Sequence, residues 1–186
     1  LVSKSHLKSC DHRPRAFIIN SGNANAGNGE QGFLDAVRCA ELMAVSLGYE
    51  TEEVLTFSTG VIGEPLPMQL IESSFDQLVT ELQEDSWNKA AEAIMTTDTC
   101  PKGFSKEIFF GEHRAVITGI AKGAGMIRPN MATTLAFIGT DLSISHDVLQ
   151  YFLEMAVEKS FHRITIDGDT STNDACALLA TGAAPV

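Results

Sequence analysis

The segment Pro-Asn-Met-Ala-Thr-Thr, residues 129–134, has the residue types best suited to covalent chemistry in this chain. Thr133 follows the small residue Ala132 and precedes an apolar stretch, residues 135–138, that is typical of a strand. If the peptide bond between Ala132 and Thr133 breaks, the Thr133 hydroxyl gains an α-amine on the same residue that can act as its base, as acyl transfer requires. The segment is also typical of a plain turn before a buried strand, so by itself it leaves both interpretations open.

A second candidate is the pair Thr59-Gly60, which follows a stretch, residues 54–58, that predicts a strand. Backbone N–H groups at a strand-to-loop turn can stabilise an oxyanion, and glycine lets the backbone come close to a ligand. Taken alone, the pair is as well explained by an ordinary turn.

The glycines of residues 21–32 (SGNANAGNGEQG) match the dinucleotide-binding fingerprint at Gly27, Gly29 and Gly32, with Glu50 downstream. A dinucleotide loop turns directly off its strand, whereas here residues 21–26 separate the predicted strand 16–20 from Gly27. The pattern therefore favours a loop, and a non-enzymatic nucleotide-binding module remains an alternative.

The loop at residues 167–174 is dense in oxygen atoms and invites comparison with a calcium site. Asp167, Asp169 and Ser171 occupy the first three alternate ligand positions, but Thr172 and Leu178 stand where such a loop needs glycine and glutamate. We expect a hydrogen-bonded turn here that could order part of a pocket wall, and no metal site.

Hydrophobic periodicity and turn residues predict a mixed α/β protein. The chain of 186 residues is long enough for one structural domain with a sizeable core. Strands are predicted at residues 16–20, 54–58, 108–110, 115–119, 134–139 and 164–166, and helices at 33–47, 68–82, 87–94 and 145–161.

Composition excludes several classes of protein. A formal charge of -11 argues against a nucleic-acid binder, and no apolar run reaches the length of a membrane span.

The four cysteines show no metal or disulfide pattern, and Cys39 is predicted to be a small core residue. The five histidines, which are predicted to be surface residues, are His6, His12, His113, His146 and His162. A start at Leu1 without methionine suggests a piece of a longer chain.

Five segments are more informative together, in the order in which they occur along the chain, than each is alone. They are SGNANAGNGEQG, TFSTGVIGEPLP, AIMTTDT, GIAKGAGMIRPNMATTLAF and DGDTSTND. Together they closely resemble the ornithine acetyltransferase family, the bifunctional glutamate/ornithine N-acetyltransferases of arginine biosynthesis. The resemblance covers nearly the whole chain, and its most specific part is KGAGM followed by PNMAT.

The resemblance implies an α/β (α+β) fold of layered helix–sheet–sheet–helix type and a self-cleaving precursor similar to N-terminal-nucleophile enzymes. The scissile bond would be Ala132–Thr133, with residues 1–132 as an N-terminally incomplete α-chain and residues 133–186 as the start of the β-chain. The two chains would stay associated, as α2β2 or a higher assembly, in the cytoplasm.

The resemblance also implies roles for single residues. Thr133 would be the nucleophile, Thr59 and Gly60 the oxyanion hole, and Thr96 and Lys122 substrate-binding positions, with Thr97 adjacent and chemically alike. The family often has methionine where this chain has Thr134, which places a second hydroxyl beside the nucleophile.

The implied reaction moves acetyl from N-acetylornithine to glutamate through an acetyl-threonine. It needs no metal or prosthetic group, and acetyl-CoA enters only as an optional co-substrate. No nucleic acid or membrane partner is expected. An N-terminal-nucleophile amidase or peptidase of similar design remains an alternative.

Overall fold

The computed structural model describes residues 1–128 and 134–184, and the chain divides into two compact units, Leu1–Ser86 and Trp87–Val186. Each unit is described by itself. The predicted scissile residues, Ala132 and Thr133, lie outside the described residues. The predicted single domain and the α and β portions that meet at that bond stay predictions.

The first unit is built on two parallel strands, β1 (Ala16–Asn23) and β2 (Val54–Val61). Parallel neighbours need a crossover connection, and helix α2 (Gly29–Leu47) supplies it. Helix α3 (Met68–Thr80) packs against α2. Helix α2 ends where predicted, because Gly48 takes the left-handed conformation at φ +70°. The core, where α2 and α3 cover β2, consists of Ala40, Met43, Ala44, Val54 and Phe75.

Helix α1 (Val2–Ser9) was not predicted from the sequence. Its buried residues Val2 and His6 are four apart and so lie on one face, towards β2. The Ser3 hydroxyl donates to the carbonyl of Thr56 (2.6 Å), and His6 Nδ1 donates to the carbonyl of Val54 (2.9 Å). The prediction that His6 is a surface residue is therefore wrong, since its ring satisfies a backbone carbonyl of β2.

The second unit is built on one sheet with strand order β3-β4-β5-β6. The first three strands are antiparallel and β5 and β6 are parallel. The bounds are Lys102–Phe110 for β3, His113–Lys122 for β4, Leu135–Thr140 for β5 and Ala175–Ala180 for β6, with helices α4 at Trp87–Ala93 and α5 at His146–Lys159. The predicted hairpin around Gly111 is confirmed, with β3 starting earlier than expected.

Two predictions after α5 are wrong. Residues 164–166 form no strand, because the N–H of Ile166 bonds to the carbonyl of Ile127 (2.9 Å) in the β4–β5 connection and not to a sheet neighbour. Strand β6 arises in a stretch for which no element was predicted. Its register, from Leu135 against Ala175 to Thr140 against Ala180, shows that pairing with β5 creates it.

Two predictions drawn from composition can also be compared with the described residues. Cys39 is buried, as predicted, and burial raises the pKa of its thiol to about 11. No helix in the described part of the chain combines the length and hydropathy that crossing a bilayer requires.

Candidate active site

The β4–β5 connection carries the residues on which the predicted chemistry depends. It leaves the sheet after Lys122 and returns at Leu135, and these two residues are paired across the strands. The connection therefore starts and ends at adjacent positions of the sheet. Thr134, its last residue, is buried.

Lys122 and Thr96 lie in contact, although 26 positions separate them in the sequence. Lys122 is only 2% exposed, and its Nζ donates to Thr96 Oγ1 at 3.0 Å. The hydroxyl of the neighbouring Thr97 lies beside the same connection, with its Oγ1 4.0 Å from the position that a Cβ on Gly125 would take. The structure thus brings Thr96 to the lysine, and the choice between Thr96 and Thr97 as the substrate-binding residue stays a prediction.

The charge of Lys122 is held in a poorly solvated place. Burial lowers the pKa of its ammonium below the usual value, while the carboxylates of Asp98 and Asp174 act in the opposite direction. An ammonium has three N–H donors, and Thr96 Oγ1 accepts from one of them. Such a group can bind the carboxylate of an amino acid in a charge-assisted hydrogen bond.

Asp98 connects the segment of Thr96 to the segment of Lys122, a role that the sequence did not reveal. Its buried carboxylate accepts from the N–H of Gly123 (2.8 Å), from the N–H of Thr96 (3.3 Å) and from Lys102 Nζ. Burial by itself would raise the pKa of Asp98, but the hydrogen bonds from Lys102, Gly123 and Thr96 outweigh it and lower the pKa. The only signal in the sequence was the position of this aspartate within the TTDT run.

Asp98→Asn is expected to lower the free energy of unfolding by about 1–3 kcal/mol at neutral pH, because an amide has one acceptor oxygen where the carboxylate accepts with both. The pKa of Asp98 is lower in the folded protein than its reference value of 3.8. Its contribution is therefore complete above that value and disappears as the pH falls through the folded pKa. Urea unfolding at neutral and at acidic pH should show the difference from wild type shrink with acidification.

Asp141→Asn is the matched control, because Asp141 accepts the N–H of Val116 with one oxygen (2.7 Å) that an amide retains. A loss for Asp98→Asn that is the same at both pH values, or no larger than that of the control, would contradict the assigned role.

Thr59 and Gly60 lie in the first unit, and here the sequence prediction needs a correction. They belong to strand β2, not to a turn after it, because pairing of Ser21 with Thr59 and of Gly22 with Gly60 prolongs the parallel ladder. Gly60 has φ +135°, and a Cβ on it would lie 2.2 Å from the carbonyl carbon of Gly22. No other residue fits this place, so glycine is required by the backbone itself.

The asparagines of SGNANAGNGEQG hold the segment that follows Thr59-Gly60. Asn23 Nδ2 donates to the carbonyls of Glu64 (3.0 Å) and Pro65 (2.9 Å), and Asn28 Nδ2 donates to Glu64 (2.8 Å). Two of the five motifs are thus one hydrogen-bonded assembly. The glycines of this segment drew attention in the sequence, whereas the hydrogen-bonding role of its asparagine side chains was not predicted.

The fingerprint glycines have structural reasons of their own. A Cβ on Gly32 would lie 2.6 Å from Asn25 Oδ1, and Gly27 and Gly29 have the positive φ values +80° and +60° that favour glycine. The predicted loop, residues 21–32, is correct only for residues 24–28, because β1 continues to Asn23 and α2 begins at Gly29. The glycine pattern is thereby explained without a nucleotide, and nucleotide binding stays an untested alternative.

The acidic loop forms the hydrogen-bonded turn that was predicted. Asp167 accepts the N–H of Met126 (2.6 Å) with Oδ2, and the N–H groups of Ile127 (3.1 Å) and Asp169 (3.2 Å) with Oδ1. The Met126 hydrogen bond is the largest cause that lowers the pKa of Asp167. Among residues 1–128 and 134–184, no cluster of three or more His, Cys, Asp or Glu side chains could hold a metal ion.

Comparison with known proteins gives a consistent result along the whole chain. The ArgJ family model matches residues 1–186. An arginine biosynthesis bifunctional protein ArgJ from Pseudomonas fluorescens is 50% identical over 177 residues, which are 95% of this chain and 44% of that protein. The protein of the same name from Methylococcus capsulatus is 51% identical over 179 residues, or 96% of this chain and 43% of that protein. The chain thus spans less than half the length of these relatives.

Two crystal structures are similar in fold. Arginine biosynthesis bifunctional protein ArgJ from Bacillus halodurans matches with a TM-score of 0.63 and 34% identity, over 70% of this chain and 68% of that one. An ornithine acetyltransferase from Mycobacterium tuberculosis, complexed with ornithine, matches with a TM-score of 0.58 and 33% identity, over 69% and 68%. These matches confirm the predicted α/β fold class.

Proposed function

The chain belongs to the ArgJ family, and on that premise we propose that it forms part of an acetyltransferase that moves acetyl from N-acetylornithine to glutamate in arginine biosynthesis. In this proposal Thr133 is the nucleophile, released as a new N-terminus by cleavage at Ala132–Thr133. Residues 1–132 and 133–186 then belong to separate α and β chains that remain associated.

The observation that carries the proposal is the contact between Lys122 and Thr96 (3.0 Å) at the start of the connection that contains Thr133. A buried ammonium beside a hydroxyl is a binding group for the α-carboxylate of an amino acid. N-acetylornithine and glutamate both have such a carboxylate. The relative crystallised with ornithine supports an amino acid of this class as ligand.

Cleavage would proceed by an N-to-O acyl shift. Thr133 Oγ attacks the carbonyl carbon of Ala132, the C–N bond breaks, and the proton of the hydroxyl ends on the new amine. Water then hydrolyses the resulting ester, which gives a carboxylate on Ala132 and restores the hydroxyl of Thr133. The amine is an α-amino group with a reference pKa of about 8, so a useful fraction is neutral near neutral pH.

In turnover, the Thr133 hydroxyl attacks the acetyl carbonyl of N-acetylornithine and passes its proton, through the α-amine, to the departing amino group. We assign the stabilisation of the oxyanion to Thr59 and Gly60, and one such donor is typically worth about 3 kcal/mol. Ornithine leaves, and the amine of glutamate attacks the carbonyl carbon of the acetyl-threonine. The bond from that carbon to Thr133 Oγ breaks, and the proton lost by the amine returns to Oγ, which gives N-acetylglutamate and the free hydroxyl. Lys122 and Thr96 orient the amino-acid part of each substrate.

The proposed cycle uses no metal or prosthetic group, and acetyl-CoA is an optional acetyl donor. The proposal includes an α2β2 or larger assembly and a cytoplasmic location. Neither nucleic acid nor membrane has a part in it.

The intact mass of the denatured full-length protein tests the proposal. We expect two fragments that meet at Ala132 and Thr133, and a β-chain that gains one acetyl group when N-acetylornithine is added without glutamate. Initial rates with both substrates should show the parallel-line pattern of ping-pong kinetics.

The outcomes separate this function from its alternatives. An uncleaved protein that is fully active would refute the proposal. A cleaved protein that releases free acetate or a free amino acid, without transfer to glutamate, would indicate an amidase or peptidase of similar design. Tight binding of a dinucleotide in a calorimetric titration, with no acyl chemistry, would favour the nucleotide-binding module.

A further inference from the structure

We propose that Asp167 and Asp174 are positioning residues for self-cleavage: they hold the backbone on the two sides of the cleavage segment, defined as residues 128–133. The inference rests on the proposed function, because it concerns the rate at which the Ala132–Thr133 bond breaks. It assigns to the DGDTSTND motif a role that its oxygen-rich composition did not reveal.

On the N-terminal side, Asp167 uses both carboxylate oxygens. Oδ2 accepts from the N–H of Met126 (2.6 Å) and Oδ1 accepts from the N–H of Ile127 (3.1 Å). Met126 has φ +53°, a left-handed conformation that a non-glycine residue rarely adopts without support. The carbonyl of Ile127 accepts from the N–H of Ile166 (2.9 Å) and from Thr165 Oγ1 (3.3 Å), so the same loop binds both the N–H and the carbonyl of Ile127.

On the C-terminal side, Asp174 Oδ1 accepts from the N–H of Thr134 at 3.0 Å. The carbonyl of Thr134 accepts from the N–H of Ala175, also at 3.0 Å. Both polar backbone groups of the residue after the nucleophile are therefore bound, and the Thr134 side chain is buried.

One loop, residues 164–174, thus binds the backbone before and after the cleavage segment. This follows from the topology, because the loop leads into β6, which lies parallel to β5, and β5 is the strand that Thr134 enters. An intramolecular attack is fast when the reacting groups are held near their reactive geometry. Because this loop holds the backbone on both sides of the Ala132–Thr133 bond, we infer that it raises the cleavage rate.

The two aspartates should differ after cleavage. Asp174 still binds Thr134, the neighbour of the new N-terminal threonine, whereas Asp167 binds residues of the other chain. Loss of Asp174 should therefore also lower kcat for acetyl transfer per cleaved molecule, while loss of Asp167 should act chiefly on cleavage.

The test is a time course of intact mass after synthesis of the full-length protein. Asp167→Ala and Asp174→Ala should each slow cleavage by about 10- to 100-fold, the effect of small misplacements of reacting groups. Asp174→Asn should be cleaved faster than Asp174→Ala, because an amide oxygen can replace Oδ1 as the acceptor of the Thr134 N–H. Asp167→Asn should be cleaved no faster than Asp167→Ala, because an amide cannot accept with both of its ends.

Asp141→Ala is the matched control. It removes a carboxylate that accepts one backbone N–H, that of Val116 (2.7 Å), in the same unit but in the sheet. We expect a lower Tm and an unchanged cleavage rate. The inference is wrong if the control slows cleavage as much as the other variants, or if neither alanine variant slows it. Should an alanine variant not fold, the contrast between the two asparagine variants decides the question. A wild-type protein that is never cleaved at Ala132–Thr133 refutes the proposed function itself.

Discussion

A Thr133→Ala variant is expected to run as one uncleaved chain and to lose acetyl transfer by about 10⁴-fold or more, the size of effect that removal of a nucleophile has in other covalent catalysts. Alanine has no hydroxyl to attack the carbonyl of Ala132, so no new N-terminus forms. It also has no oxygen to hold the acetyl group in turnover. Intact mass measures the first loss, and the rate of glutamate acetylation measures the second.

Thr134→Ala is the control for this variant, because it removes a neighbouring hydroxyl and keeps the backbone N–H that Asp174 binds (3.0 Å). It should be cleaved and active. Thr133→Ser, which keeps a hydroxyl, should retain measurable cleavage. If Thr134→Ala were the uncleaved variant and Thr133→Ala the cleaved one, the nucleophile would lie one residue further along the chain.

The strands that could be predicted from the sequence, such as β5, are those whose own residues have the apolar pattern of a strand. β5 has the sequence LAFIGT and is buried at Leu135, Ala136 and Phe137. β6 has the sequence ACALLA, rich in residues that favour helix, and its strand conformation comes from pairing with β5. Local sequence does not contain that pairing, so β6 could not be predicted.

The same distinction applies to the candidate site. Thr96 and Lys122 were predicted as substrate-binding residues only through the family resemblance. Their contact depends on where β4 ends. Asp98, Asp167 and the asparagines of the first motif act by binding backbone N–H and carbonyl groups. Such bonds have no periodicity in the sequence, and for this reason only the folded chain reveals them.

Gly60→Ala is expected to have the second largest effect, on stability and on activity together. A Cβ at this position would lie 2.2 Å from Gly22 C and 2.5 Å from Asn23 N, and both neighbours are backbone atoms of β1 that cannot rotate away. The end of β2 must therefore shift. We expect the free energy of unfolding to fall by more than about 3 kcal/mol, in the range of severe steric lesions.

The acetyl-transfer activity of Gly60→Ala should fall together with its stability. The peptide that shifts belongs to the Thr59-Gly60 pair, to which we assign the stabilisation of the oxyanion. Displacing one oxyanion donor lowers kcat by about 10²- to 10³-fold in other acyl-transfer enzymes. The measurement is kcat for transfer at a temperature at which the variant is still folded, alongside its Tm.

Gly63→Ala is the control that separates the steric clash expected for Gly60→Ala from the backbone strain of a positive φ. Gly63 also has a positive φ, +82°, but a Cβ there would meet no atom within 4 Å. Its replacement adds backbone strain of about 1–2 kcal/mol without a clash. If Gly60→Ala cost no more stability and no more activity than Gly63→Ala, the close approach of β1 to Gly60 would not fix this backbone. The oxyanion would then need a donor other than the Thr59-Gly60 pair.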